Sequence, residues 1–328
     1  MPHHQTLLRA AALALVAGLT GLASHAALAQ ANYPNKPIRL VVGFAPGGPS
    51  DIISRVVGAK IGEILGTQVV IENKTGAGGA IATESVARSE PDGYTLVNAP
   101  LSTAVNETLS KIRYQIGKDI VAVAPQAETA NILVVHPSLG VKSLAELVAL
   151  AKAKPGEVQY ATAGRGSATH LTSELFDMVA GITTTPVHYR GGGETVKDLL
   201  SGQVKMMFSS IAPVQQHVRD GRLMGLATTG PKRDPAFPDL PTVAELGYPG
   251  FDVRLWMGMM GPAGMPPDII KKLETANRQA LESPEIQKVL AAQGFAPLIG
   301  TAEDFDKFYR SEVIKWAKVI KEKGMDKD

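Results

Sequence analysis

The sequence predicts an α/β chain folded as two lobes, each a mainly parallel sheet flanked by helices, and three observations carry that expectation. Apolar runs of strand length lead into glycine-containing turns and then into apolar residues at helical spacing, and this unit recurs along most of the chain. The alternation breaks once, where Ile120-Val-Ala-Val-Ala124 and Asn131-Ile-Leu-Val-Val-His136 are both extended with no helix between them. A second series of the same units follows, and Val253-Arg-Leu-Trp-Met-Gly-Met-Met260 is extended again near the end. The break and the late strand read as crossings between lobes. They assign 30–130 and 252–328 to lobe 1 and 131–251 to lobe 2.

With 328 residues, 45% of them hydrophobic, the chain is long enough for two cores. A formal charge of +2 and the lack of a basic stripe interleaved with aromatics argue against a nucleic-acid partner. There is no cysteine, which excludes disulfides, thiol catalysis and a lipid-modified N-terminal cysteine. Residues 1–29 read as a secretory signal: Arg9 precedes the apolar run Ala10 to Leu22, and Ala27-Leu-Ala29 offers small residues for cleavage before Gln30. That run is shorter than the roughly 20 residues a spanning helix needs. The mature protein is therefore expected to be soluble outside the cytoplasm.

In lobe 1, the strand Ile38-Arg-Leu-Val-Val-Gly-Phe44 stops at a turn built from Pro46, Gly47, Gly48 and Pro49. Ile52, Ile53, Val56, Val57, Ile61, Ile64 and Leu65 then recur at helical spacing, with Ser50 or Asp51 available as N-cap. Next come strand Gln68 to Glu72, loop Asn73 to Gly79, a helix from about Ala80 to Ser89, the turn Asp92-Gly93 and strand Tyr94 to Asn98. Ligands of such sheets gather at the carboxyl ends of the strands, which places Phe44 to Asp51, Thr75 to Gly79 and Asn98 to Ser102 along one rim. In lobe 2 the expected order is helix Leu144 to Ala153, strand Val158 to Thr162, loop Ala163 to Ser167 and helix Thr169 to Val179. Strand Thr184 to His188, loop Tyr189 to Gly193, helix Glu194 to Leu200, strand Val204 to Phe208, a short helix near Pro213 to Arg219 and strand Leu223 to Thr228 complete it. Helices Pro267 to Glu282 and Ala302 to Ile320 close the chain, the latter with the apolar stripe Phe305, Tyr309, Val313, Trp316 and Ile320.

Two of these turns have the makings of an anion seat: glycines that let backbone approach a ligand, followed by a helix start whose first N–H groups have no intrahelical partner. The first is Phe44 to Asp51; the second is Tyr160-Ala-Thr-Ala-Gly-Arg-Gly-Ser-Ala-Thr-His-Leu171, in the other lobe. Facing each other, they would hold one carboxylate from both sides. At this point the chain resembles the tripartite tricarboxylate transporter receptor, or Bug, family of periplasmic solute-binding proteins. The motifs run in order through the mature chain: YPNKPIRLVVGFAPGGPSD, VVIENKTGAGGAIATESVA, PDGYTL, AKAKPGEVQYATAGRGSATHLTSELF, DLLSGQV, LPTVAELGYPG and WMGMMGPAGMP.

The resemblance implies a two-lobed periplasmic-binding-protein-like fold of type II with the ligand carboxylate between the glycine loops. Phe44, Ala45, Gly47, Gly48 and Asp51 match the first loop; Thr162, Gly164, Gly166, Ser167 and His170 match the second. It also implies a periplasmic receptor that delivers a small organic carboxylate to membrane transporter components; the chain is expected to be a monomer, and the alternative reading is a ligand sensor that presents its bound state to a membrane signalling partner, or sensor ectodomain. The chain departs from the family pattern at Ile112-Arg-Tyr-Gln-Ile116, at Val187-His-Tyr-Arg-Gly191 and at Lys205. From the residues themselves, Asn98 joins the candidate site at the rim, and Arg165 and Arg190 supply cations in lobe 2. Asp51 and Glu194 sit at helix starts, where the helix dipole stabilises their charge. Few anions and two cations favour a ligand without an ammonium group.

An exported α/β enzyme is the rival reading. No Lys-Ser/Thr follows the first glycines as a phosphate loop requires, the dinucleotide pattern is absent, and no serine sits in G-x-S-x-G. The spacing of Ser167 and His170 suits a helix cap better than a nucleophile and its base. His136, His170, His188 and His217 lack metal-ligand spacing. No catalytic residue, metal or cofactor is expected.

Overall fold

The computed structural model describes residues 33–189 and 192–326. The expected signal segment, 1–29, and Arg190 lie outside the described residues. The strands are β1 (Ile38–Val42), β2 (Val69–Asn73), β3 (Thr95–Pro100), β4 (Ile120–Val135), β5 (Gln159–Thr162), β6 (Thr185–His188), β7 (Met206–Ser210), β8 (Met224–Thr228), β9 (Arg254–Pro262) and β10 (Ala296–Pro297). The α-helices are α1 (Pro49–Leu65), α2 (Ala80–Ala87), α3 (Leu101–Leu109), α4 (Leu144–Ala153), α5 (Ala168–Ala180), α6 (Gly192–Leu200), α7 (Ile211–Arg219), α8 (Pro267–Glu282), α9 (Pro284–Ala292) and α10 (Ala302–Glu322).

Hydrogen bonding connects the strands in the order β2-β1-β3-β9-β4-β7-β5-β6, with β8 and β10 also pairing β4. The pairs β1–β2, β1–β3, β5–β6 and β5–β7 are parallel, as their intervening helices demand. The two crossing strands behave differently. β9 is antiparallel to both β3 and β4, and β4 is antiparallel to β7 and β8. The two extended stretches expected around Ala124 and Asn131 are one strand of 16 residues. Its first part pairs with β9 as far as Ala130↔Arg254, and from Asn131 it pairs with β7. Pro125 has no N–H to give the ladder, and the register shifts between Pro125 and Ala127. The carbonyl of Pro125 is taken instead by Asn277 Nδ2 at 2.8 Å.

Two helices escape the sequence reading, α3 and α9. Leu101-Ser-Thr-Ala-Val-Asn-Glu-Thr-Leu109 is rich in residues with weak helix preference, and Pro100 at its N-cap makes no side-chain cap. Helix α10 is better marked. Thr301 and Asp304 form a capping box, Asp304 N donating to Thr301 Oγ1 at 3.1 Å and Thr301 N to Asp304 Oδ2 at 3.0 Å.

The buried stripe of α10 is Phe305, Tyr309, Glu312, Trp316, Val319 and Ile320, with the expected Val313 partly buried against the same core and Glu312 an unexpected member. Glu312 goes inside because its Oε2 accepts the indole N–H of both Trp256 and Trp316 at 3.0 Å, and Lys315 pairs with its other oxygen. One apolar core runs from Val41, Ala82 and Val97 through Trp256 and Trp316 to Phe176 and Phe208. The lobes are thus joined by packed side chains of α10 as well as by β4 and β9.

Phe305 seats against the backbone of Gly258 in β9: a Cβ at that position would lie 2.1 Å from Phe305 Cζ. Gly258→Ala is expected to destabilise the protein by about 1–3 kcal/mol through overpacking. Thermal unfolding checks this, and an unchanged midpoint would mean that the helix does not sit so close to the strand.

Candidate functional site

The first glycine loop is built around the carboxylate of Asp51. Buried in the first turn of α1, it accepts from Gly47 N at 2.9 Å, Arg55 Nε at 2.9 Å and Asn73 Nδ2 at 2.9 Å. These bonds, led by that from Arg55, hold its carboxyl down at about 2. The N-cap of α1 is Gly48, with no side-chain cap, and neither Ser50 nor Asp51 occupies that position. Asn73 Nδ2 also donates to the carbonyl of Phe44 at 2.9 Å, which ties the end of β2 to the loop. Gly43 lets the next loop approach, since a Cβ there would lie 2.5 Å from Gly79 Cα.

Helix α3 orders that next loop. Ser102 Oγ donates to the carbonyl of Gly78 at 3.0 Å, and Asn106 Nδ2, one turn on, donates to the same oxygen at 3.1 Å. Ala77 has φ +47°, a left-handed conformation that costs a non-glycine residue roughly 1–2 kcal/mol.

The second glycine loop is a closed hydroxyl network. Ser167 is the N-cap of α5, accepting from His170 N at 3.3 Å, and its Oγ also lies 3.0 Å from both Thr162 Oγ1 and Thr169 Oγ1. Gly166 N donates to His170 Nδ1 at 3.0 Å. Burial pushes the His170 imidazolium down to about 4, so the ring is neutral and Nδ1 has a lone pair to offer. Arg165 is exposed, and its guanidinium donates to the Met325 carbonyl at 3.1 Å.

Between these parts lies a cleft of about 460 Å³ lined by Phe44, Ala77 and Gly78, by the α3 residues Ser102, Val105, Asn106, Leu109 and Ser110 just beyond it, and by Arg165, Gly166, Ser167 and Met325. Of the residues expected at the site, Phe44, Arg165, Gly166 and Ser167 line it. Ala45, Gly47, Gly48, Asp51, Thr162, Gly164 and His170 do not line it, and Arg190 is outside the described residues. Asn98 is buried on β3 with both side-chain polar atoms unpartnered and does not line the cleft. The expected rim, Thr75 to Gly79 and Asn98 to Ser102, contains Ala77, Gly78 and Ser102, but sequence reasoning missed the rest of the α3 face and Met325. Only the rim position of Ser102 hinted at that face.

Among the residues that line the cleft, Arg165 alone is charged. Among the described residues, no group of three or more His, Cys, Asp or Glu stands together to hold a metal, and no helix is long and apolar enough to cross a membrane.

Two lobes, crossing strands and a cleft between glycine loops define a solute-binding receptor. Residues 53–325 match the family described as the tripartite tricarboxylate transporter family receptor, and the chain belongs to that family. It is 38% identical over 296 residues to protein BugT of Bordetella pertussis, covering 89% of this chain and 90% of that one. It also superimposes on an R. palustris protein solved with adipate, at TM-score 0.75 and 32% identity over 88% of this chain and 98% of that chain. A third relative is MatC from Rhodopseudomonas palustris with bound malate, at TM-score 0.72 and 30% identity over 88% of this chain and 100% of that chain. The chain is a receptor and not an enzyme.

Two outcomes follow from the loop geometry. Asp51, at about 2 against an ordinary 3.8, contributes stability that is complete above the ordinary value and is lost as pH falls through the lower one. Asp51→Asn should therefore be less stable than wild type at neutral pH, and the gap should close between pH 4 and 2; parallel pH curves of unfolding would contradict it. At Gly48 a Cβ would meet only the Ala45 carbonyl, at 3.6 Å, whereas at Gly166 (φ +71°) it would lie 2.8 Å from Leu109 Cδ1. Gly48→Val should keep the native circular dichroism spectrum, while Gly166→Val should also lose stability.

Proposed function

We propose that this chain is a periplasmic receptor, exported by its first 29 residues, that captures a small organic carboxylate in the cleft and delivers it to a membrane transporter. The observation that carries the reading is the make-up of the cleft wall. It combines hydroxyl and carboxamide side chains (Ser102, Asn106, Ser110, Ser167), a glycine loop at a helix start, one arginine and an apolar side formed by Phe44, Val105, Leu109 and Met325, with no carboxylate. A ligand ammonium would find no anion there, whereas a carboxylate finds donors and an extended body finds an apolar wall. The adipate and malate bound by two relatives are ligands of that kind.

The lobes would be 30–130 with 252–328 and 131–251, moving as a monomer about the point where β4 exchanges β9 for β7, between Ala130 and Asn131. Delivery then requires a closed state that a transporter can recognise and an open state that releases.

A thermal-shift panel of protein stripped of co-purified ligand tests the reading, with adipate, malate, citrate, aromatic acids, aspartate and glutamate as probes. A non-amino carboxylate at about 100 times its dissociation constant should add about 2.7 kcal/mol of stability. Stabilisation by aspartate or glutamate alone would overturn the reading. Ser167→Ala, which removes a hydroxyl that lines the cleft, should weaken the response while the protein stays folded. Small-angle scattering of the same samples should show a smaller radius of gyration with ligand, and equal radii would remove the hinge.

A further inference from the structure

The second glycine loop is held from behind by side chains that do not line the cleft. His170 Nδ1 accepts the Gly166 N–H, which places the ring's own proton on Nε2. That nitrogen faces Glu174 Oε1 at 3.7 Å, one turn further along α5. The same carboxylate oxygen accepts the Tyr160 hydroxyl at 2.6 Å, and its partner oxygen meets Lys323 Nζ at 2.8 Å. Lys323 is the C-cap residue of α10. A second tie ends at the same place, because the Met325 carbonyl takes the Arg165 guanidinium and Met325 itself lines the cleft.

The far side of α10 is anchored in the other lobe. Tyr309 donates to Glu107 of α3 at 2.6 Å, and Glu312 holds Trp256 of β9. Helix α10 thus connects α3, which forms one wall of the cleft, to the loop that forms the opposite wall.

The chemistry of the chain of contacts is directional. A carboxylate beside Nε2 favours the tautomer that carries its proton there, and that tautomer leaves Nδ1 free to accept from Gly166. Burial alone would favour a neutral Glu174, and the ammonium of Lys323 opposes it. A lysine removed from this place would leave a buried carboxylate short of its cation and favour its protonation, and a neutral Glu174 no longer gives the imidazole the field that selects its tautomer.

We propose that Lys323 and Glu174 are positioning residues of the binding site: acting through His170, they fix the Gly166 N–H and the second glycine loop, so that the end of α10 sets the geometry of the cleft. The proposal rests on the cleft being the ligand site, and its test separates the two ideas.

Wild type, Lys323→Met, Lys323→Arg and Glu174→Gln are compared without ligand by amide hydrogen exchange and by nitrogen-15 spectra of the histidine rings, then titrated with adipate and with malate. In Lys323→Met and Glu174→Gln the amides of 163–167 should exchange about tenfold faster, equivalent to about 1.4 kcal/mol of opening free energy, while β1 and β3 keep wild-type rates. The His170 signal should change from one tautomer to a mixture, and Lys323→Arg should restore both readouts. Wild-type exchange in the loop, or an unchanged His170 tautomer, in the folded variants overturns the proposal. So does faster exchange spread evenly over the chain, or a Lys323→Met that fails to fold beside a folded Glu174→Gln of wild-type loop exchange, since either marks a purely structural role. If wild type binds neither adipate nor malate, the loss falls on the carboxylate reading, and the exchange data still decide this one.

Discussion

The pairing of β4 with β9 is the constraint on which the rest depends. From Ile120↔Pro262 to Ala130↔Arg254 these two antiparallel strands form the middle of the sheet, and every parallel strand on either side is attached through one of them. Because β4 continues past Ala130 into pairing with β7 and β8, the two lobes share a backbone element rather than only a linker. A shared strand can bend without losing its ladder on either side, and it fixes which ends of the parallel strands face each other. The glycine loops, which follow β1 and β5, are brought to the same cleft by that arrangement.

Within the cleft, rigidity comes from charge used behind the wall and not on it. Asp51 spends its hydrogen-bonding capacity on Gly47, Arg55 and Asn73; Glu174 does so on Tyr160 and Lys323. Each carboxylate fixes a loop of peptide groups that would otherwise lose conformational entropy on meeting a ligand. The lining itself is left to hydroxyls, a carboxamide, peptide groups and apolar carbons, with Arg165 as its one charge. Such a wall attracts an anion through fixed dipoles and puts no competing negative charge beside it.

Much of this was legible in the sequence, for local reasons. Apolar runs ending in glycine turns mark β1, β2, β5 and the helices after them, because a chain reversing at the end of a buried strand needs those residue types. Phe44, Gly166 and Ser167 were found in this way. What stayed hidden is what depends on distant partners. Helix α3 is written in threonine, valine and asparagine and draws its order from the turn it packs against. Asn98 was expected at the end of its strand, but β3 runs on to Pro100 and buries it away from the cleft. Glu312 sits where a stripe of apolar residues was expected, and only two indole donors from different elements explain it. Lys323 and Glu174 are far apart in the chain, and nothing near either one names the other.

The shared carboxylate of Glu312 has a spectroscopic corollary. The chain contains two tryptophans, and both indoles donate to that one side chain at the joint between α10 and β9. Its intrinsic indole emission therefore comes from a single place, where the last long helix meets β9 alongside the shared strand β4. A change of wavelength or intensity reports movement or wetting of that joint. Events confined to the outer strands and helices are dark to it, so fluorescence on this receptor is a local gauge of the crossover.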